Sequence, residues 1–367
     1  MTLPSYFDSF LKDIRLSDKQ DFRDAHTTLR ELLEDDEDLG DIIEGTFLQG
    51  SYRRATAVKP EGDQKPDVDV VVATNLPSDS TTPHEALAKF EDFLNDNYEG
   101  AWEHQARSIA IVVGDVEMDL VITSAPSTVT KSFLLSEVIR LSSAIDSADF
   151  AQYEKFAQDL YDPNLVRFAE KAADPWKSEP LLIPDRDVKQ WTPTDPLAQM
   201  AWTFSKNKAT NGHYVNVVKA LKWWKRREQR LPKYPKGYPL EHLIGQNCPD
   251  GIESVAEGVA RTLEAIAGNY ASNVLLGTKP VLPDHGVPEH DVFKRISVAE
   301  FKQFHEVVAD AAKVARSALD EQVKGDSWAA WYDFFGDPFP KPDDESSKSL
   351  GERVAVLPAE PKPERFA

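Results

Sequence analysis

The chain has 367 residues, 41% of them hydrophobic and 28% charged, enough to fold around real cores in one or two domains. Its 42 Lys and Arg face 62 Asp and Glu, a net charge of −20, and it carries one cysteine, Cys248. These values exclude a disulfide framework and a multi-cysteine zinc site, and they disfavour a long polyanionic partner such as duplex DNA or tRNA. No stretch approaches the ~18–20 apolar residues of a membrane span. The opening MTLPSYFDSFLKDIR lacks the basic-then-apolar order of a secretory signal. The expectation is a cytoplasmic, monomeric protein that meets neither membrane nor DNA.

Residues 5–35 read as helix, with Phe7, Phe10, Leu11, Ile14, Leu29, Leu32 and Leu33 at helical spacing. Eight carboxylates between Glu31 and Glu44 read as a solvated face and cap. Thr46-Phe47-Leu48 is a short strand ending at Gly50-Ser51. A loop from Lys59 to Pro66 leads into Val68–Thr74, whose β-branched residues mark a buried strand. Residues 82–98 look helical. Ile109–Val113 and Val116–Thr123, joined by Gly114-Asp115, have the signature of a hairpin.

After about residue 130 the helical period dominates, over 133–143, 149–160, 164–173, 196–208, 213–230, 251–268, 298–320 and 327–335. Proline-punctuated loops occupy 174–196, 232–239 and 279–290. From Gly336 periodicity is lost and six prolines appear among charges and serines, the composition of a flexible tail. His285 and His290 lie in one proline-rich loop without cysteine partners, and a structural role is expected for them and for Cys248.

Three features carry chemistry. Gly50-Ser51 follows a strand directly; Asp67-Val68-Asp69 opens the valine strand; Asp119 sits inside Val116–Thr123. Residues i and i+2 of a strand share a face, so Asp67 and Asp69 point the same way, and a neighbouring strand can bring Asp119 beside them. Three adjacent carboxylates repel one another unless cations neutralise them, and hard oxygen ligands suit Mg²⁺. Two such ions can hold the attacking and leaving oxygens of an in-line phosphoryl substitution. Gly50 would let backbone approach a phosphate, Ser51 would add a hydroxyl, and amides of a following short helix would favour the anion. A Gly-Ser pair or an Asp-x-Asp alone is ordinary in turns. Asp119 amid Met118, Leu120 and Val121 is not, because an uncompensated carboxylate there is costly.

The order Gly50-Ser51, Asp67-Val68-Asp69, then Asp119 resembles the nucleotidyltransferase superfamily of DNA polymerase beta type. Within it, the strings from Thr46 to Arg54 and from Pro66 to Val72 resemble the bacterial cGAS/DncV-like nucleotidyltransferases (CD-NTases). The likeness continues in Leu182–Arg186, Thr194–Gln199, Asn211–Tyr214, Lys222-Trp223-Trp224, Tyr234–Ile244, Asp284-His285-Gly286 and the terminal Arg365-Phe366-Ala367, and it is greatest to clade D.

The resemblance implies an α/β (α+β) fold, a polymerase-beta-like core with a C-terminal helical domain in a bilobed cGAS/OAS-like architecture. On it, residues 1–175 form the catalytic lobe with a long N-terminal helix, 176–338 the helical lobe and 339–367 the tail. It also implies a synthase of adenine-rich cyclic trinucleotides (cyclic AMP-AMP-GMP or cyclic tri-AMP) from ATP with or without GTP, in CBASS anti-phage defence. Asp67, Asp69 and Asp119 would hold two Mg²⁺, with Mn²⁺ able to substitute, and Asp119 would help to deprotonate the attacking hydroxyl. Gln49, Gly50 and Ser51 would hold the donor triphosphate, and Lys222 matches the family's phosphate-binding lysine. From the residues themselves, Lys219, Lys222 and Arg226 form one basic stripe, which is equally the mark of an ordinary solvated helix face. Trp223 and Trp224 read as core. Partners implied are a HORMA-type activator or a ubiquitin-conjugation-like enzyme acting at Ala367.

Other readings stay open at this point: a cyclic dinucleotide synthase, a tRNA or poly(A) nucleotidyltransferase, or a catalytically silent scaffold. The net negative charge weighs against the RNA enzymes, which need a basic track. The intact aspartates weigh against the scaffold.

Overall fold

The computed structural model describes residues 3–16, 20–62, 65, 67–124 and 180–341. The helices expected over 133–143, 149–160 and 164–173, and the tail beyond 341, lie outside the described residues. The N-terminal half comprises α1 (Leu3–Ile14), α2 (Gln20–Asp35), β1 (Ile43–Gln49), α3 (Gly50–Arg53), β2 (Asp67–Thr74), α4 (Pro83–Ala88), α5 (Glu91–Tyr98), β3 (Trp102–His104), β4 (Ile109–Val113) and β5 (Val116–Thr123). After it come β6 (Leu181–Asp185), β7 (Gln190–Thr194), α6 (Pro196–Ala209), α7 (Tyr214–Arg227), α8 (Tyr238–Asn247), α9 (Val255–Asn269), α10 (Ala271–Leu275), α11 (Val298–Asp320) and α12 (Lys324–Phe335).

The sheet runs in the order β1-β2-β5-β4-β3, with β2 and β5 parallel and the other pairs antiparallel. β2 is an apolar run because both its faces are covered. Val68, Val70 and Val72 pack with Leu87, Phe90, Met118 and Leu120 in one core. Val71 and Ala73 turn the other way, into a second core with Phe47, Val121 and the residues of α7, α8 and α9. The second core therefore joins the sheet to the helical half.

The helix expected over 5–35 is two helices. Arg15 leaves the helical path to bridge Val58, and the Lys59 amide donates to the Ile14 carbonyl at 2.8 Å, so backbone pairing displaces helix there. α1 packs on the helical half through aromatic rings: Phe10 lies 4.4 Å from Phe335, and Phe7 lies 5.1 Å from Trp331. Other elements escaped sequence reading, four of them of consequence for the fold. β3 has only three residues; β6 and β7 carry Pro184 and Pro193, which mimic a loop; and α8 begins inside a segment read as proline-rich. The β6–β7 hairpin bonds back to the sheet, with Ser124 bridged to Leu182 and Arg107 paired to Asp185 at 2.6 Å.

α8 lies tight against α6 and α7. A Cβ at Gly245 would fall 2.3 Å from the Trp202 ring and 2.8 Å from the Tyr214 hydroxyl, which leaves room for glycine alone. Beside that contact His285 is sandwiched between Trp202 at 3.9 Å and His242 at 4.1 Å. Parallel rings cannot converge on an ion, so the arrangement is packing. Cys248 is buried and free. No helix among the described residues is long and apolar enough to cross a membrane.

Candidate active site

The β2–β5 register brings the aspartates together. Asp69 pairs with Asp119 and Asp67 with Glu117 along the parallel ladder. Asp67 and Asp69 lie four and two residues from Val71, and Asp119 two from Val121, so all three share the sheet face that looks toward the helical half. They occupy its open end, where Asp67 is exposed and Asp69 and Asp119 are partly buried. Glu117 is a fourth carboxylate, missed in the sequence although the same alternation places it on that face.

Crowding keeps these acids from ionising freely. Burial first, then the charges of Asp67 and Glu117, raises Asp119 to about 7. Asp69 is pushed up by burial and then by Asp119, against the opposing pull of Arg54. Asp67 moves in the same direction through desolvation, then Asp69 and Glu117. Its open side to water weakens that push.

The donor set fits a divalent cation. Asp119 Oδ1 is buried without a hydrogen-bond partner, an orphan acceptor that an ion would satisfy. Among the described residues no three acidic or imidazole groups converge as a ready-made cation cage. Neighbouring carboxylates repel one another, and a cation placed among them would offset that repulsion.

Gly50 is required by the same geometry. Gln49 pairs with Asp69 across β1–β2, and the chain then turns sharply with Gly50 at φ 77°. A Cβ at that position would lie 1.7 Å from Asp69 Oδ2. Any side chain would expel the carboxylate. Gln49 holds the extended position before α3, and its side chain makes no capping hydrogen bond there.

Ser51 and Asp67 line a cavity of about 320 Å³ that also has a basic wall. Lys222, Lys225 and Arg226 of α7 supply that wall, and Lys65 and Lys236 complete it. The predicted basic stripe is thus no ordinary solvated face, because two of its members look into this cavity. Lys219 does not line it: it is 4% exposed and engaged within the protein. Lys65, Lys225 and Lys236 were not singled out in the sequence, since only the tertiary fold brings 65 and 236 to α7.

Lys222 is held from behind. Its ammonium donates to Glu241 Oε1 at 2.5 Å and to the Thr56 carbonyl at 3.0 Å. Arg54 Nε donates to the other oxygen of Glu241 at 3.1 Å. Burial would raise Glu241, yet Arg54 and Lys222 overcome it and hold the carboxyl at about 2. Burial lowers Lys222 despite Glu241, helped by Arg54 and Arg226. The two shifts pull in opposite senses; the ionised Glu241 at hydrogen-bond distance favours the charged form of Lys222.

A family model described as a Second Messenger Oligonucleotide or Dinucleotide Synthetase domain matches residues 1–126. Over its whole length the chain is 42% identical to the whole of a probable cyclic AMP-AMP-GMP nucleotide synthase of Salmonella paratyphi B. The chain belongs to the CD-NTase family of cyclic-oligonucleotide synthases. As such it is a nucleotidyltransferase. Another CD-NTase relative, a cyclic AMP-AMP-AMP synthase of Acinetobacter, is 29% identical over 97% of this chain and 91% of its own. The solved structure of the Bradyrhizobium diazoefficiens CD-NTase CdnG in complex with GTP superposes with a TM-score of 0.64. That match covers 95% of this chain and 98% of the other at 14% identity, a likeness of fold. The α/β core with a helical half is therefore the CD-NTase architecture.

Proposed function

We propose that this CD-NTase joins two adenosine nucleotides and one guanosine nucleotide into cyclic AMP-AMP-GMP, releasing three pyrophosphates. The observation that carries the chemistry is the pairing of Asp69 with Asp119 beside the cation-lined cavity. The base composition rests on the relatives at 42% and 40% identity, both named for cyclic AMP-AMP-GMP, against 29% for the cyclic AMP-AMP-AMP synthase.

In this reading Asp67, Asp69 and Asp119 hold two Mg²⁺. When bound, the ions polarise the α-phosphate and lower the pKa of the attacking hydroxyl. Ser51 and the amides of its turn grip the donor triphosphate, and Lys222, Lys225 and Lys236 balance its charge. A ribose hydroxyl oxygen forms a bond to the α-phosphorus, the bond to the bridging oxygen breaks, and pyrophosphate leaves with that electron pair. Asp119 accepts the hydroxyl proton. Three such transfers close a ring.

Regulation in this reading falls to a HORMA-type partner or a ubiquitin-conjugation-like enzyme acting at Ala367. One relative of the fold is a CdnC:HORMA-deltaN complex. Deleting the last few residues should spare purified-enzyme activity and reduce phage protection; undiminished protection would remove the tail from the scheme.

The synthase reading is tested with α-labelled ATP and GTP, Mg²⁺ and phosphatase. A phosphatase-resistant product needing both nucleotides supports it. Extension of added tRNA, or no labelled product even with candidate partners, would contradict it.

A further inference from the structure

Glu241 lies on α8, outside the cavity lining, yet groups from both halves of the molecule converge on it. Arg54 Nε and the Thr56 hydroxyl donate to its Oε2 at 3.1 and 2.9 Å, while Lys222 bonds its Oε1. Lys222 donates in turn to the Thr56 carbonyl. The amides of Thr56 and Ala57 donate to the Ser51 carbonyl at 2.9 and 3.1 Å. The path therefore runs from α8, through Thr56, to the Ser51 end of the turn.

The turn held in this way is not a relaxed one. Ala55, between the two residues bonded to Oε2, has φ 54°, a left-handed conformation that a residue with a Cβ seldom adopts. Such a backbone persists only where its surroundings over-determine it. Arg54 and Glu241 are 5% and 3% exposed, so water does not compete for these bonds. One carboxylate balances the buried Arg54 and the partly buried Lys222, and a neutral residue there would leave the two cations facing each other.

We propose that Glu241 is a positioning residue that locks the Ser51–Ala57 turn and the Lys222 ammonium into a single triphosphate-binding arrangement across the two halves. This rests on the reading that the turn and its cavity receive the donor triphosphate. Glu241 touches no reacting atom. Its loss is expected to weaken nucleotide capture more than it slows bond formation.

The test compares Glu241→Gln and Thr56→Val with the wild-type chain. ATP affinity is read by equilibrium titration with Mg²⁺, KM and kcat by pyrophosphate release, and turn order by hydrogen exchange of amides 51–57. Thr56→Val removes one bond to a charged acceptor and leaves the ion pairs, so it stays informative if Glu241→Gln folds poorly. Losing such a bond should raise KM and Kd for ATP about tenfold for Thr56→Val, and more for Glu241→Gln, with kcat changing less than about threefold. Exchange should accelerate at Thr56 and Ala57. Wild-type affinity and protection in both variants, or a fall in kcat at constant KM, would overturn the positioning role. A wild-type chain that binds no ATP would overturn the functional reading instead.

Discussion

Asp69 of β2 and Asp119 of β5 are direct partners in the parallel ladder, which sets two carboxylates from separate strands against each other on one face. Such a pair is destabilising for a sheet and useful for holding cations. Replacing Asp69 or Asp119 by Asn should lower pyrophosphate release by on the order of 10³-fold or more, since the residues act as a unit. Thermal denaturation should show no loss of stability, and a rise in the absence of metal.

The raised pKa values of the aspartates predict how Mg²⁺ and pH interact. Asp119 keeps its proton to about 7 when folded, well above the ~3.9 of an unfolded Asp. Between those values the folded chain binds more protons than the unfolded one, so this site's contribution to stability falls as pH rises through the window. Mg²⁺ should therefore raise Tm more at pH 8 than at pH 5.5, and Asp119→Asn should flatten the difference. Equal shifts at both pH values in the wild type would contradict the carboxylate site.

The cavity wall predicts a division among lysines. Lys225→Ala and Lys236→Ala should each raise KM for ATP, by about three- to tenfold, with an effect that shrinks at high salt. Lys219→Met should act mainly on Tm, because that side chain is buried outside the cavity lining. Steady-state kinetics beside thermal denaturation separates the two classes. A KM effect at Lys219 matching those of Lys225 and Lys236 would put it in the nucleotide site.

The ring cluster between α1 and α12 should carry measurable stability. Phe10 is fully buried, with Phe335 at 4.4 Å and Phe339 at 5.7 Å. Phe10→Ala should cost about 3–5 kcal/mol in denaturant unfolding, the range for deleting a core phenylalanine. A loss below 1 kcal/mol would mean that α1 is not part of the core.

Much of this site was legible before the structure. β2 announced itself because a strand covered on both faces must be apolar throughout, and Asp67 and Asp69 stood out against that run. Asp119 was visible for the same reason. Glu241 was not: it sits between Leu240 and His242 in an ordinary helix, and its partners Arg54 and Thr56 are 187 and 185 residues away. The convergence of Lys65 and Lys236 on α7 was hidden likewise, since it depends on loop paths and not on period. The break between α1 and α2 is set by Val58 and Lys59, which no local pattern around Arg15 reports.

Mass spectrometry of the products made by the wild-type chain from all four ribonucleoside triphosphates with Mg²⁺ tests the central claim most directly. The account predicts a ring of two adenosine and one guanosine monophosphates, absent with Asp69→Asn. A linear or two-nucleotide product, or the same product from Asp69→Asn, would contradict it.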